Sequence, residues 1–276
     1  MSYYHPKNIL DGLRLALSFL TRIPAGPKTL ESEAPWGWSA AFYPVCGYIL
    51  GIIAALPIFI LVMVPAWRLN ILSPLLVTPV IYVALLEYMS RMLHFDGFCD
   101  CCDAFFSSAF DRERRLEIMK DPHIGSAALC GGALLLISKT LILYVLMTKS
   151  TIIDRNTMWL AVALAAVPVF SRTSMTALAC FGKYPRNKGT AMHIVGKIPV
   201  LSLVLALIFT LPALCALALF IRPYPALLLT LMCPVLIFYW KSKADTKIGG
   251  VTGDVIGACG ETIELAMLAG ILLATA

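Results

Sequence analysis

The chain has 276 residues, 59% of them hydrophobic and only 14% charged, with a formal net charge of +6 at pH 7. Soluble domains average about 25% charged residues, so this balance excludes an ordinary soluble enzyme and points to a polytopic membrane protein. The positive excess suits topology, anionic lipid or an anionic substrate, and is poor ground for nucleic-acid binding.

The first predicted element, 8–24, is short and Arg-bearing, better suited to the membrane interface than to a crossing. Seven apolar stretches follow, near 40–66, 71–93, 124–149, 157–181, 198–221, 223–240 and 252–275. Each approaches the length of about 20 residues needed to cross the hydrocarbon core. The expected fold is therefore an all-α integral membrane protein: a single domain over 1–276 with about seven spans, an N-terminal interfacial helix and short cytoplasmic helices. No internal repeat of the transporter kind is visible.

Charge orients these spans. Lys7, Arg14, Arg22 and Lys28 precede the first, and Arg112, Arg114, Arg115 and Lys120 separate the second from the third. Lys183, Arg186, Lys188 and Lys197, then Lys241, Lys243 and Lys247, fall on the same side. The opposite connections carry Arg68, Lys149, Arg155 and Arg222. The positive-inside rule then puts the N-terminus in the cytoplasm and the C-terminus outside. The oligomeric state, a homo-oligomer included, is left open by the sequence.

The strongest chemical signal is His94-Phe95-Asp96-Gly97-Phe98-Cys99-Asp100-Cys101-Cys102-Asp103. Asp96, Asp100 and Asp103 stand at i, i+4 and i+7, one face of a helix. Converging carboxylates repel one another, so a divalent cation is expected among them. A solvated helix end is the plainer alternative. Oxygen donors without paired thiolates or histidines favour Mg²⁺ or Mn²⁺ over zinc. Cys99, Cys101 and Cys102 lack a second ligand pair at zinc spacing, and the other six cysteines lie in apolar runs. His94 either orients the site or is a satisfied buried histidine.

Asp111 reads as the N-cap of a short basic helix bearing Arg114, Arg115 and Lys120, which ends at Asp121-Pro122. Arg172 interrupts an apolar span, Arg186 follows in Lys183-Tyr184-Pro185-Arg186, and Arg22 sits near the end of the interfacial element. Guanidinium forks suit phosphate oxygens, although each arginine alone also fits a snorkelling anchor. Glu87 and Arg91, at i and i+4, read as a local ion pair. The run Gly249-Gly250-Val251-Thr252-Gly253-Asp254 opens the last span as an anion seat. Asp254 and Glu261 share a face there and are expected to meet a polar cavity. Gly253, Gly257 and Gly260 form a small-residue stripe, read as tight helix packing. Acids for a metal beside arginines for phosphates point to phosphoryl or pyrophosphate chemistry.

Asp96-Gly97-x-x-Asp100-x-x-Asp103, Arg114-Arg115-Leu116-Glu117-Ile118-Met119-Lys120-Asp121 and Ile124-Gly125 together resemble the signature of the cobalamin synthase (adenosylcobinamide-GDP ribazoletransferase) family. Phe19-Leu20-Thr21-Arg22-Ile23-Pro24, Tyr43-Pro44-Val45-x-Gly47 and residues 249–254 extend the resemblance over nearly the whole chain. It departs at Ser90-Arg91-Met92, where the family usually has Thr-Gly-Gly, at Ala104 for glycine, and at His123 for arginine. The resemblance implies a multi-pass inner-membrane enzyme, active on the cytoplasmic side, that uses Mg²⁺. It would join adenosylcobinamide-GDP to the 5′-hydroxyl of α-ribazole, or to α-ribazole 5′-phosphate, and release GMP. On that reading Asp96, Asp100 and Asp103 hold the metal, and Asp103 or Asp254 accepts the proton. Arg22, His94, Arg114, Arg115, Lys120, Asp121, Arg172, Arg186, Thr252 and Glu261 are candidates for binding substrate. An aspartate-rich membrane prenyltransferase and a cation transporter using the intramembrane acids are the competing readings. The first normally has two alike acidic motifs, and the second normally shows repeats.

Overall fold

The computed structural model describes residues 6–26, 34–63, 72–150 and 157–275. Lys28, Arg68 and Arg155 from the charge count, and the end of the first expected span, lie outside them. Every regular element among the described residues is helical. In order these are α1 (Pro6–Leu20), α2 (Ala34–Ser39), α3 (Tyr43–Met63), α4 (Leu72–Met89), α5 (Leu93–Phe106), α6 (Arg112–Ile118), α7 (Ser126–Thr148), α8 (Thr157–Phe181), α9 (Val200–Ile221), α10 (Pro223–Ile248) and α11 (Gly253–Ala274). Short 3₁₀ turns cover Ala40–Phe42 and Thr190–His193. Six helices are long and apolar enough to cross a membrane, and a seventh crossing results if α4 and α5, bent by 90°, form one broken span. The expected all-α, multi-span architecture is thus observed.

Two spans form the centre. In their most apolar windows α8 is 83% and α11 72% buried, against 44% or less for the other four long helices. Those outer helices turn leucines such as Leu207, Leu211, Leu228 and Leu231 outward, as lipid-facing surfaces do. Helix α3 lies against α8 backbone to backbone: a Cβ on Gly47 would come within 2.7 Å of Val169 Cα, and one on Gly51 would strike the Ala165 carbonyl. Apolar helices gain no hydrophobic drive from lipid, so close approach over small residues must hold them together. Pro168 inside α8 has no N–H for the carbonyl of Leu164. The Tyr82 hydroxyl donates to that carbonyl at 2.8 Å, repairing the gap from α4.

The second expected span, 71–93, ends early because α4 stops at Met89 and turns. Arg91 (φ 60°) and Met92 (φ 57°) adopt left-handed backbone there, and Met92 N–H closes on Glu87 O at 2.7 Å. Helix α1 packs through Leu15, Ala16 and Leu20 while Arg14 stays outside and pairs with Asp11 at 3.5 Å.

Candidate active site

The bend aims α5 across the bundle, where it meets α11 and α7. At Gly97 the α11 backbone of Asp254 approaches so closely that a Cβ would sit 2.7 Å from its Cα. At Gly257 the reverse holds, and a Cβ there would stand 2.9 Å from the His94 Cα. Gly260 likewise admits Ser171 and Met175, whereas Gly253 faces looser surroundings, so two glycines of the stripe serve packing. On the α7 side Cys99 and Cys102 rest on Gly132 and Gly131. All nine cysteines are free, and this pair fills a helix seam.

Asp96, Asp100 and Asp103 line one hollow of about 340 Å³, with Lys120, Asp121 and His123 across from them. The i, i+4, i+7 spacing puts the three acids on one face of α5, as helical geometry requires. The carboxylates do not converge on a single point, however. Among the described residues the grouping of three ligand atoms within 4.8 Å is Glu87, Glu261 and Glu264. The reason lies at Asp103, whose two oxygens accept N–H groups of Gly125 (2.7 Å) and Ala128 (2.8 Å). It thereby caps the first turn of α7, and any Cβ at residue 125 would collide with it. Asp100 feels the charges of Asp96, Asp254 and Asp103, opposed by that of Arg186. Asp121 is held below the usual carboxylate range, first by the backbone N–H of His123 and then by its ring.

A second cavity of about 290 Å³ adjoins the hollow and shares Asp96 with it; His94, Arg186 and Asp254 line it as well. Arg186 meets Asp254 at 3.5 Å. Thr252, fully buried, caps α11 by accepting from Val255 N–H and donates to Asp254 at 3.1 Å. Burial raises the pKa of the Tyr184 phenol on the neighbouring loop. The glycines before Thr252 shape this loop: Gly249 ends α10 at φ 80°, and the N–H groups of Gly249 and Gly250 are both given to the Ala244 carbonyl. A Cβ on Gly250 would strike the Lys183 carbonyl, which accepts Val251 N–H at 2.8 Å.

Several expected contacts lie elsewhere. Arg22 closes the end of α4, its backbone N–H on Met89 O and its Nε on Tyr88 O at 2.6 Å, with its guanidinium 4.1 Å over the Tyr88 ring. Arg114 pairs with Glu117 on the outer face of α6. Arg115 braces the carbonyls of Ala109 and Lys247. Arg172 and Glu261 sit in a buried ion network away from the hollow. Lys139, 1% exposed, donates to Glu261 (2.5 Å), Glu264 (2.8 Å) and Glu87 (3.3 Å). Arg172 binds Glu264 and reaches His94 Nδ1 at 3.2 Å. Since a guanidinium can only donate, His94 Nδ1 accepts and its proton sits on Nε2. The network corrects two readings: Glu261 meets a lysine and not a polar cavity, and Glu87 turns inward while Arg91 stays exposed. Lys139 and Glu264 escaped the sequence reading. An ionisable residue alone in an apolar span was the signal, because burial there demands a partner.

Fold and site define a polytopic helical membrane protein built around a carboxylate-rich hollow on a bent helix. Residues 12–272 match the family model described as cobalamin-5-phosphate synthase (CobS), and the chain belongs to that family. Similar relatives are named adenosylcobinamide-GDP ribazoletransferase. The Pseudomonas aeruginosa one is 32% identical over 97% of this chain and 100% of its own length. That of Clostridium novyi is 28% identical over 95% and 97%. A Clostridioides difficile relative is 29% identical over 94% and 96%. No solved structure matches.

Proposed function

We propose that the protein is a Mg²⁺-dependent adenosylcobinamide-GDP ribazoletransferase of the inner membrane, working on the cytoplasmic side. The observation that carries this reading is the hollow shared by Asp96, Asp100 and Asp103, in a chain whose relatives bear that name. The donor set is all oxygen and suits a hard cation. Mg²⁺ usually takes one or two carboxylates together with substrate phosphates and water, so the spread of the three acids is compatible with it. Asp96 and Asp100 would be its principal holders, because Asp103 is engaged by α7. Bound there, the ion would offset charge on the diphosphate and ease departure of GMP.

An acceptor hydroxyl oxygen forms the new bond to the phosphorus attached to cobinamide. The bond from that phosphorus to the bridging oxygen breaks, and GMP leaves with that oxygen. The hydroxyl proton passes to a carboxylate. We assign this role to Asp254, which is engaged by Arg186 and Thr252, since both oxygens of Asp103 already accept backbone N–H groups. Lys120 and Arg186 supply positive charge beside the transferred group. Attack by a 5′-hydroxyl needs an acceptor whose 5′ oxygen is free. An acceptor that already carries a 5′-phosphate must attack through another ribose hydroxyl, and the family description, cobalamin-5-phosphate synthase, favours this revision.

The test is incubation of purified, reconstituted protein with adenosylcobinamide-GDP and α-ribazole 5′-phosphate, following GMP by chromatography. Release of GMP that needs both substrates and stops with chelator is expected. Failure to release GMP with both substrates and excess Mg²⁺ overturns the reading, and chelator-resistant release removes the metal from it.

A further inference from the structure

We propose that the 290 Å³ cavity beside the acid hollow is the seat of the acceptor's flat aromatic base, and that its apolar wall selects the acceptor. The inference rests on the transferase reading above and adds to it a place for the uncharged half of the acceptor nucleoside. Its wall is formed by Phe19 and Leu20 of α1, Leu93 of α5, Met175 and Ala179 of α8, and Ile256 of α11. The charged lining residues are Asp96, Asp254 and Arg186. Two carboxylates against one guanidinium, next to an apolar wall, make a poor seat for a diphosphate. They make a good one for a neutral ring whose ribose hydroxyls reach toward the acids.

Size argues the same way. Ligand cavities start at about 300 Å³ for drug-sized molecules, so a cavity of about 290 Å³ matches a bicyclic base with part of its sugar and is small for a corrin ring. Guanine is the other flat base in the reaction, and the polar lining groups His94, Tyr184 and Thr190 with the two carboxylates make it the competing occupant that the KM comparison below separates. The base of α-ribazole, a benzimidazole joined to ribose through one ring nitrogen, has a single ring acceptor to satisfy. Position completes the case. Asp96 belongs to both cavities, so a nucleoside seated here presents its ribose where the diphosphate hollow begins, beside Asp254.

The experiment uses full-length reconstituted protein, Ala179→Leu to fill the wall and Ile256→Ala to strip it. KM for each substrate is measured from GMP release. In parallel, binding of α-ribazole alone is measured by equilibrium dialysis in detergent. Both variants are expected to raise KM for the ribazole acceptor at least tenfold, with KM for adenosylcobinamide-GDP changed less than twofold. Dialysis should show the same loss for free α-ribazole. A rise confined to the GDP substrate assigns the cavity to guanine and overturns the proposal; an equal rise in both, or no change in either, also overturns it. Wild-type protein that releases no GMP yet binds α-ribazole through this wall would sink the transferase reading alone. If Ala179→Leu does not fold, Ile256→Ala and the dialysis decide.

Discussion

Two successive residues at the α4–α5 bend carry a backbone conformation that disfavours side chains. Arg91 and Met92 both have φ near +60°, at positions where the resembled family usually has glycine. A left-handed residue with a Cβ costs roughly 1–2 kcal/mol. Arg91→Gly and Met92→Gly should therefore each stabilise the protein by about 1 kcal/mol, read as a raised midpoint in thermal unfolding in detergent. Unchanged midpoints would mean that the turn is unstrained. At the hollow, Asp96→Asn and Asp100→Asn keep size and shape while removing charge, and both side chains line the hollow instead of capping a neighbouring helix. Loss of turnover with unchanged unfolding is expected of both. Asp103→Ala differs, because it leaves the Gly125 and Ala128 N–H groups without their acceptor. It should also destabilise by about 1–3 kcal/mol, so that activity and unfolding midpoint fall together.

At the scale of elements, the buried ion network ties α4, α5, α7, α8 and α11 to one another through Glu87, His94, Lys139, Arg172, Glu261 and Glu264. Lys139 stands where three carboxylate ligand atoms lie within 4.8 Å, the place a bound cation would take. Removing one partner from a buried charge cluster leaves the others uncompensated, at a cost of about 3–5 kcal/mol. Lys139→Met should show that loss in reversible unfolding. Wild-type stability would instead mean that the carboxylates had taken up protons or another cation. The facial spacing of Asp96, Asp100 and Asp103 was legible along the chain because one helix carries all three. The network was not, since Lys139 is 52 residues from Glu87 and 122 from Glu261. Sequence spacing locates neighbours on a helix, and says nothing about partners brought together by a bend.

At the scale of the whole molecule, the seam between α3 and α8 decides whether the bundle closes. Gly51→Val would drive a branched side chain into the Ala165 backbone, which no rotamer change relieves. Loss of folded protein on size-exclusion chromatography is the expected result. Composition and the run of apolar segments by themselves determined the membrane class and the helical fold. Lipid leaves backbone groups no partner outside a helix, and the hydrophobic length fixes the span. They also determined the acid face of α5, a matter of helical geometry alone. Tertiary structure alone decided that α4 turns through 90° before that face, that Asp103 is drawn to the amides of α7, and that Arg22, Arg172 and Glu261 hold helices away from the hollow. Each of these depends on which distant group arrives to satisfy a charge or a carbonyl, a question settled by packing in three dimensions.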